Sequence, residues 1–209
     1  MDLSVIIPCH NLENFITPLL VSLNLQDLGD KEVEVIFICD SCTDKTVNTI
    51  KDFRFSAGYK NIRIYTCDVH SCGLARNIGM ERSTGKYIWF VDGDDWFTSN
   101  KAMTTIISAF EDGVDMIKFA YEHPAFFKFG GHPAMVWQYA YRRSFIGDLR
   151  FIEVQPDEDK AFNVVLFEKL GDPERPSDKV KRLNEVLYHY NYMREGSNIQ
   201  QIEKSGKIV

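Results

Sequence analysis

The stretch Tyr87-Ile88-Trp89-Phe90-Val91-Asp92-Gly93-Asp94-Asp95 joins five apolar residues directly to three carboxylates packed into four positions. A run that short, unbroken and rich in β-branched and aromatic residues predicts a strand buried on both faces, as in a parallel sheet covered by helices. The carboxylates after it repel one another unless a cation or a helix N-terminus compensates. Two readings stand. A turn around Gly93 would let Asp92 and Asp94 converge on one Mg2+ or Mn2+; otherwise the segment is an exposed turn in which Asp95 or Ser99 caps the next helix.

Outward from this stretch, residues 3–8, 33–38, 62–67 and 115–120 repeat the short apolar pattern. Between them, Phe15, Leu19, Leu20 and Leu23 share a helical face, as do Val47 and Ile50, then Met103, Ile106, Ile107 and Phe110. Ser99 as N-cap and Gly113 beyond the C-terminus predict a helix over 100–112. This alternation predicts an α/β fold with a mostly parallel central sheet flanked by helices. The pattern breaks over 122–132, where Pro124, three phenylalanines and Gly130-Gly131 precede His132-Pro133, and a loop or lid is expected. It resumes over 157–170, with Phe162, Val165, Leu166 and Leu170 on one face and Gly171-Asp172-Pro173 as a stop. Tyr188, Tyr190 and Tyr192 alternate within 186–193, a half-buried strand, and 200–209 reads as a frayed polar tail.

The 209 residues are 44% hydrophobic and 26% charged, the composition of one globular domain whose core needs neither staple nor metal. A net charge of −6 argues against general affinity for nucleic acid, so an anionic ligand must be met locally. No apolar run reaches 18 residues and no basic, then apolar, leader opens the chain, which predicts a cytoplasmic location. The five cysteines read as reduced thiols; Cys39 and Cys42 form a C-x-x-C without the second pair a zinc ribbon needs. The five histidines show no ligand-like spacing.

An open parallel sheet binds ligands beyond the carboxyl ends of its strands. The sequence places Pro8, Cys9, His10 and Asn11 after the first strand, Asp40, Ser41, Thr43 and Asp44 after the second, and the carboxylate cluster after the fourth. The absence of G-x-G-x-x-G after the first strand removes the main support for dinucleotide binding.

Taken in order, these segments resemble the family 2 glycosyltransferases, whose fold is GT-A. Ser4-Val5-Ile6-Ile7-Pro8 with Asn11 resembles the opening strand motif, and Cys39-Asp40-Ser41-Cys42-Thr43-Asp44 resembles D-D-G-S-T-D. Gly73-Leu74-Ala75-Arg76-Asn77-Ile78-Gly79 is similar to G-x-x-x-A-R-N-x-G, and residues 92–95 to D-x-D-D. Glu158-Asp159 with Phe162 and Asn163 is similar to the late E-D motif, and Tyr190, Tyr192, Arg194, Gly196 and Ser197 to Y-x-Y-R-x-x-G-S. Cys39 stands where the family has an aspartate, Ser41 and Cys42 replace Gly and Ser, and only 63 residues separate Asp95 from Asp159.

The resemblance implies one GT-A domain over 1–209, with a nucleotide-sugar half to residue 121, an acceptor half over 122–199 and a tail. It implies donor contacts at Pro8, Cys9, Asn11, Asp40, Arg76 and Asp92, and Mg2+ or Mn2+ on Asp92 and Asp94. Asp159 is implied as the general base of an inverting transfer, with Glu158 second. The implied partners are a nucleotide-diphosphate sugar and a glycan or lipid-linked glycan acceptor, in bacterial cell-surface or capsular polysaccharide synthesis. Peripheral contact with the inner membrane face is left open. The residues alone leave alternatives: Glu158 and Asp159 as helix-start carboxylates, Arg76 as a structural ion-pair partner, the tyrosines as sheet packing. The competing functions are a silent binding protein that lost donor affinity through Cys39, and a nucleotidyltransferase, for which Cys9-His10-Asn11-Leu12 is a poor phosphate loop.

Overall fold

The structure, a computed structural model, describes residues 1–122, 135–154, 157–171 and 178–191. The loop or lid expected over 122–132, the Asp172-Pro173 stop, Tyr192, Arg194, Gly196, Ser197 and the tail lie outside them, apart from Glu122.

Strands β1 (Leu3–Cys9), β2 (Val33–Asp40) and β4 (Tyr87–Phe90) are buried along their whole length, as runs without a polar face require. β3 (Asn61–Cys67) is expected to be equally buried but forms the sheet edge and is partly exposed. Its Arg63 and Tyr65 give it the mixed character of an edge, which the apolar Ile62 and Ile64 disguise in sequence.

These four strands are parallel in the order β3-β2-β1-β4. Because β1 lies between β2 and β4, the chain switches direction across the sheet at β1, and a crevice opens beyond the carboxyl ends of β1 and β4. The first half is as predicted. The second half is mixed: β7 (Tyr139–Arg142) is antiparallel to both β4 and β6 (Met116–Glu122), β6 runs parallel to β8 (Val180–His189), and short β5 (Trp96–Phe97) pairs antiparallel with β8. The sheet order over the described residues is β3-β2-β1-β4-β7-β6-β8-β5.

Helices cover both faces. α1 (Thr17–Asn24), α2 (Thr46–Asp52) and α4 (Ala102–Ala109) pack on one core built on Val5, Ile7, Val35, Phe37 and Trp89. α3 (Cys72–Arg82), short α5 (Arg143–Ile146) and α6 (Glu158–Leu170) cover the other face, over Ile6, Ile88 and Phe90. α3 approaches β1 so closely that a Cβ on Gly79 would lie 2.2 Å from Ile6 Cγ2.

Three local expectations are corrected. α4 is shorter than 100–112: Ser99 Oγ accepts from Lys101 N and holds the turn before the helix instead of capping it, and Phe110 already turns extended. Val165 is 37% exposed, because α6 buries Phe162, Asn163, Leu166 and Phe167 instead. β8 starts at Val180, six residues before the expected start, through pairing with β6 that its polar residues conceal.

Candidate active site

Four segments meet at the carboxyl end of the sheet. The first is the β1 end, where Asn11 adopts a left-handed backbone (φ 49°). Its Oδ1 accepts from Thr43 N at 2.8 Å and Asp44 N at 3.4 Å, tying the loop after β1 to the loop after β2. Pro8 and Cys9 end β1 and are buried, the Cys9 thiol donating to Ile7 O.

Asp40, 5% exposed at the end of β2, accepts from three backbone N–H groups, the Ser41 hydroxyl and, at 3.7 Å, the Cys67 thiol. Val69 N, His70 N and Ser41 Oγ reach Oδ1 at 2.8, 3.1 and 2.9 Å, and Ser71 N reaches Oδ2 at 2.9 Å. Burial would raise its pKa, but these hydrogen bonds outweigh burial and hold the carboxyl below its ordinary value. Ser71 in turn caps α3, its Oγ accepting from Leu74 N. Asp40 thus fixes the loop that launches the helix carrying Arg76.

Beside it lies a pocket of about 370 Å³ whose lining includes Cys39, Ser41, Cys42, Thr43, Asp68 and His70. Asp40 and Asn11 brace this pocket through their hydrogen bonds without lining it. Asp68, which the sequence reading passed over, supplies a carboxylate there, its Oδ1 2.8 Å from Ser41 Oγ, so that it shares the single Ser41 O–H with Asp40. Ser41 and His70, like Asn11, have positive φ near 50°, so three non-glycine residues in a sparsely populated conformation gather around one pocket. The Cys39 thiol is held above its ordinary pKa: a hydrogen bond with Cys42 pulls it down, but contact with Cys9 and burial prevail. It faces the pocket as a neutral thiol, chemically unlike the aspartate of the family motif.

The third segment is the turn after β4. Asp95 N donates to Asp92 O at 3.1 Å, closing the turn. Gly93 is required there, since a Cβ would lie 2.5 Å from Leu12 Cδ1 and 3.1 Å from Pro8 O. Asp95 is 1% exposed and separates from the other two carboxylates. It accepts from Tyr188 Oη at 2.6 Å and Asn191 N at 2.8 Å, and burial, with Asp94 and Asp92 adding to it, pushes its pKa well up. Tyr188, expected as sheet packing, also accepts from Asp92 N at 3.1 Å and so supports the turn.

The turn suits a hard divalent cation by its donor chemistry. Asp92 and Asp94 carry carboxylate oxygens on either side of the close-packed Gly93 turn. Among the described residues no group of three or more His, Cys, Asp or Glu is placed to hold a metal, so the protein would supply two carboxylates and ligand oxygens the rest.

The fourth segment is the first turn of α6. Asp159 Oδ1 accepts from Arg76 Nη1 at 2.5 Å, and Oδ2 from Val136 N at 3.1 Å. Glu158 Oε1 lies 3.4 Å from the same Nη1, and Arg76 Nη2 donates to Asp92 Oδ1 at 2.9 Å. Burial raises both α6 carboxyls against the pull of Arg76, Glu158 to about 7. Sequence motifs named these residues separately. That one guanidinium joins them, across 16 to 83 positions of chain, was not legible there.

A family model described as glycosyl transferase family 2 matches residues 4–170. A poly(ribitol-phosphate) beta-N-acetylglucosaminyltransferase of Staphylococcus aureus, TarS, is 35% identical over 112 residues, covering 54% of this chain and 19% of that protein. The uncharacterized glycosyltransferase EpsJ of Bacillus subtilis is 29% identical over 90% of this chain and 60% of its own length. The chain therefore spans between about a fifth and three fifths of these relatives. Among solved structures, S. aureus TarS 1–349 in complex with UDP-GlcNAc superposes with a TM-score of 0.77 at 24% identity, over 96% of this chain and 61% of that one. A mannosyltransferase of Pyrobaculum calidifontis in complex with GDP-Man and Mn2+ does so at 0.74 and 13% identity, over 98% and 61%. These two likenesses show the fold.

Proposed function

The chain belongs to glycosyl transferase family 2, and on that premise we propose that it transfers a sugar from a nucleotide diphosphate to an acceptor hydroxyl with inversion at the anomeric carbon. One observation carries the reading: a buried Arg76 draws the carboxylates of the turn after β4 and of the α6 N-terminus into one cluster at the carboxyl end of the sheet. Donor and acceptor chemistry need such neighbours.

The donor's base enters the pocket between the ends of β2 and β3, which Asp40 and Asn11 keep in shape. Asp92 and Asp94 would hold a divalent cation, Mg2+ or Mn2+. When bound, it neutralises charge on the departing nucleoside diphosphate. Asp159 takes the proton of the acceptor hydroxyl as that oxygen attacks the anomeric carbon from the opposite side. Its burial raises its basicity, while Arg76 and Val136 N fix its orientation. Relatives named for sugar transfer to poly(ribitol-phosphate), one named for minor teichoic acid biosynthesis, and a neighbour bound to UDP-GlcNAc support a UDP-sugar donor and a cell-surface glycan acceptor. Among the described residues no helix is long and apolar enough to cross a membrane. We place the reaction in the cytoplasm.

Asp159→Asn tests the reading, because asparagine keeps size and hydrogen bonding but accepts no proton at neutral pH. A positioned base contributes about 10²- to 10⁴-fold, so transfer should fall by that factor while donor affinity stays within about twofold. Transfer near the unmodified rate would exclude Asp159 as the base. A chain that binds donor without any transfer, whatever stands at 159, would be a silent binding protein.

A further inference from the structure

Arg76 was expected beside the donor nucleotide, but its contacts point elsewhere. The side chain is 3% exposed, and its guanidinium lies 5.4 Å from the Phe151 ring centroid. Of its five N–H groups, three are committed to carboxylates: Asp159 at 2.5 Å, Glu158 at 3.4 Å and Asp92 at 2.9 Å. Its Nε is buried and has no partner among the described residues. Little of this fork remains for a diphosphate. The carboxylates come from two parts of the chain, Asp92 in the turn after β4 and the adjacent Glu158 and Asp159 at the start of α6, and Arg76 is the cation that joins them.

We propose that Arg76 is the positioning residue of the transfer, holding Asp159 oriented and ionised at the acceptor side and contributing no donor contact. The proposal rests on Asp159 being the base. Asp159 faces Arg76 and Cys72 on α3, Asp92 in the turn after β4, Val136 N, Tyr141 on β7 and Glu158 on its own helix. Arg76 is the one cation in that set. Without it, only the Val136 N–H is left to oppose burial and the neighbouring carboxylates, and the balance at Asp159 moves toward the protonated form. Lysine keeps the charge but offers a compact ammonium that cannot engage three carboxylates as the planar fork does.

The test follows the carboxyl carbon of Asp159 by NMR titration in the full chain, its resonance identified by its loss in Asp159→Asn. Arg76→Gln should raise the Asp159 midpoint by at least about one pH unit, a tenfold change in its ionisation equilibrium. Arg76→Lys should raise it by less than half as much. A purely structural role would lower the melting temperature of both variants without separating their midpoints. UDP and GDP, each with Mn2+, are the binding probes: Arg76→Lys should bind whichever the unmodified chain binds with affinity within about threefold.

An unchanged midpoint in Arg76→Gln, or a tenfold loss of nucleotide affinity in Arg76→Lys, overturns the proposal. Should Arg76→Gln not fold, Arg76→Lys decides alone: its midpoint must rise, and its nucleotide affinity must hold. If the unmodified chain binds neither nucleotide, the transferase reading fails. The Asp159 midpoint still decides this proposal, because it is read without nucleotide.

Discussion

Replacing Asp40 by alanine separates a structural strut from a ligand contact. In the structure the carboxylate accepts from three backbone N–H groups, of Val69, His70 and Ser71, and from the Ser41 hydroxyl. Alanine leaves all three N–H groups without an acceptor, at about 1–3 kcal/mol for each that stays dry. His70 and Val69 lie toward solvent and water can reach them, whereas Ser71 is 3% exposed and cannot relax in this way. The loss should therefore be about 1–3 kcal/mol, set by the Ser71 N–H and well short of the sum of all three. For a chain of this size that lowers the melting temperature by about 6 °C. Asp40→Asn keeps one carbonyl acceptor and should lose roughly half.

The pH dependence has a definite sign. The folded-state pKa of Asp40 lies below its ordinary 3.8, so its contribution is complete above about pH 4 and disappears as pH falls through the folded value. The stability gap between the unmodified chain and Asp40→Asn should be constant from pH 5 to 8 and close below pH 4. Thermal melts across that range, paired with nucleotide titration, measure both. A melting temperature within about 2 °C of the unmodified chain, together with lost nucleotide binding, would refute the strut and make Asp40 a direct ligand contact.

Two packing predictions follow from the same geometry. Gly79→Ala should destabilise by about 1–3 kcal/mol despite alanine's better helix propensity, because the new Cβ would meet Ile6 Cγ2 at 2.2 Å within the core; a urea midpoint that holds or rises would contradict it. Tyr188→Phe removes the donor to buried Asp95 and the acceptor for Asp92 N, and should cost about 2–3 kcal/mol by urea unfolding; a loss under about 0.5 kcal/mol would show that the hydroxyl does not support the turn.

The first half of the sheet is readable from sequence because β1, β2 and β4 are buried on both faces, so apolar continuity alone marks them. β7 is not, since Tyr139-Ala140-Tyr141-Arg142 is four residues long and takes its place between β4 and β6 through long-range pairing. α3 escapes periodicity for a different reason. Its buried face is Gly73, Ala75, Arg76, Gly79 and Met80, chosen for close approach and for charge, which a hydrophobic pattern does not register. In the site, local motifs pointed to Asp92, Asp94 and Asp159 because each sits in a distinctive short segment. What each carboxylate touches depends on tertiary placement, so the binding of Asp159 to Arg76, the bracing role of Asp40 and the pocket-lining Asp68 emerge only in three dimensions.

Titrating UDP and GDP against the chain, with Mn2+ and with chelator, tests the transferase account most directly. The account predicts that one of the two binds, that the cation strengthens binding at least tenfold, and that replacing Asp92 and Asp94 together by Asn abolishes that gain while the chain stays folded. Binding that ignores both the cation and the double replacement would contradict the cation-assisted donor site, and no binding of either nucleotide would contradict the account as a whole.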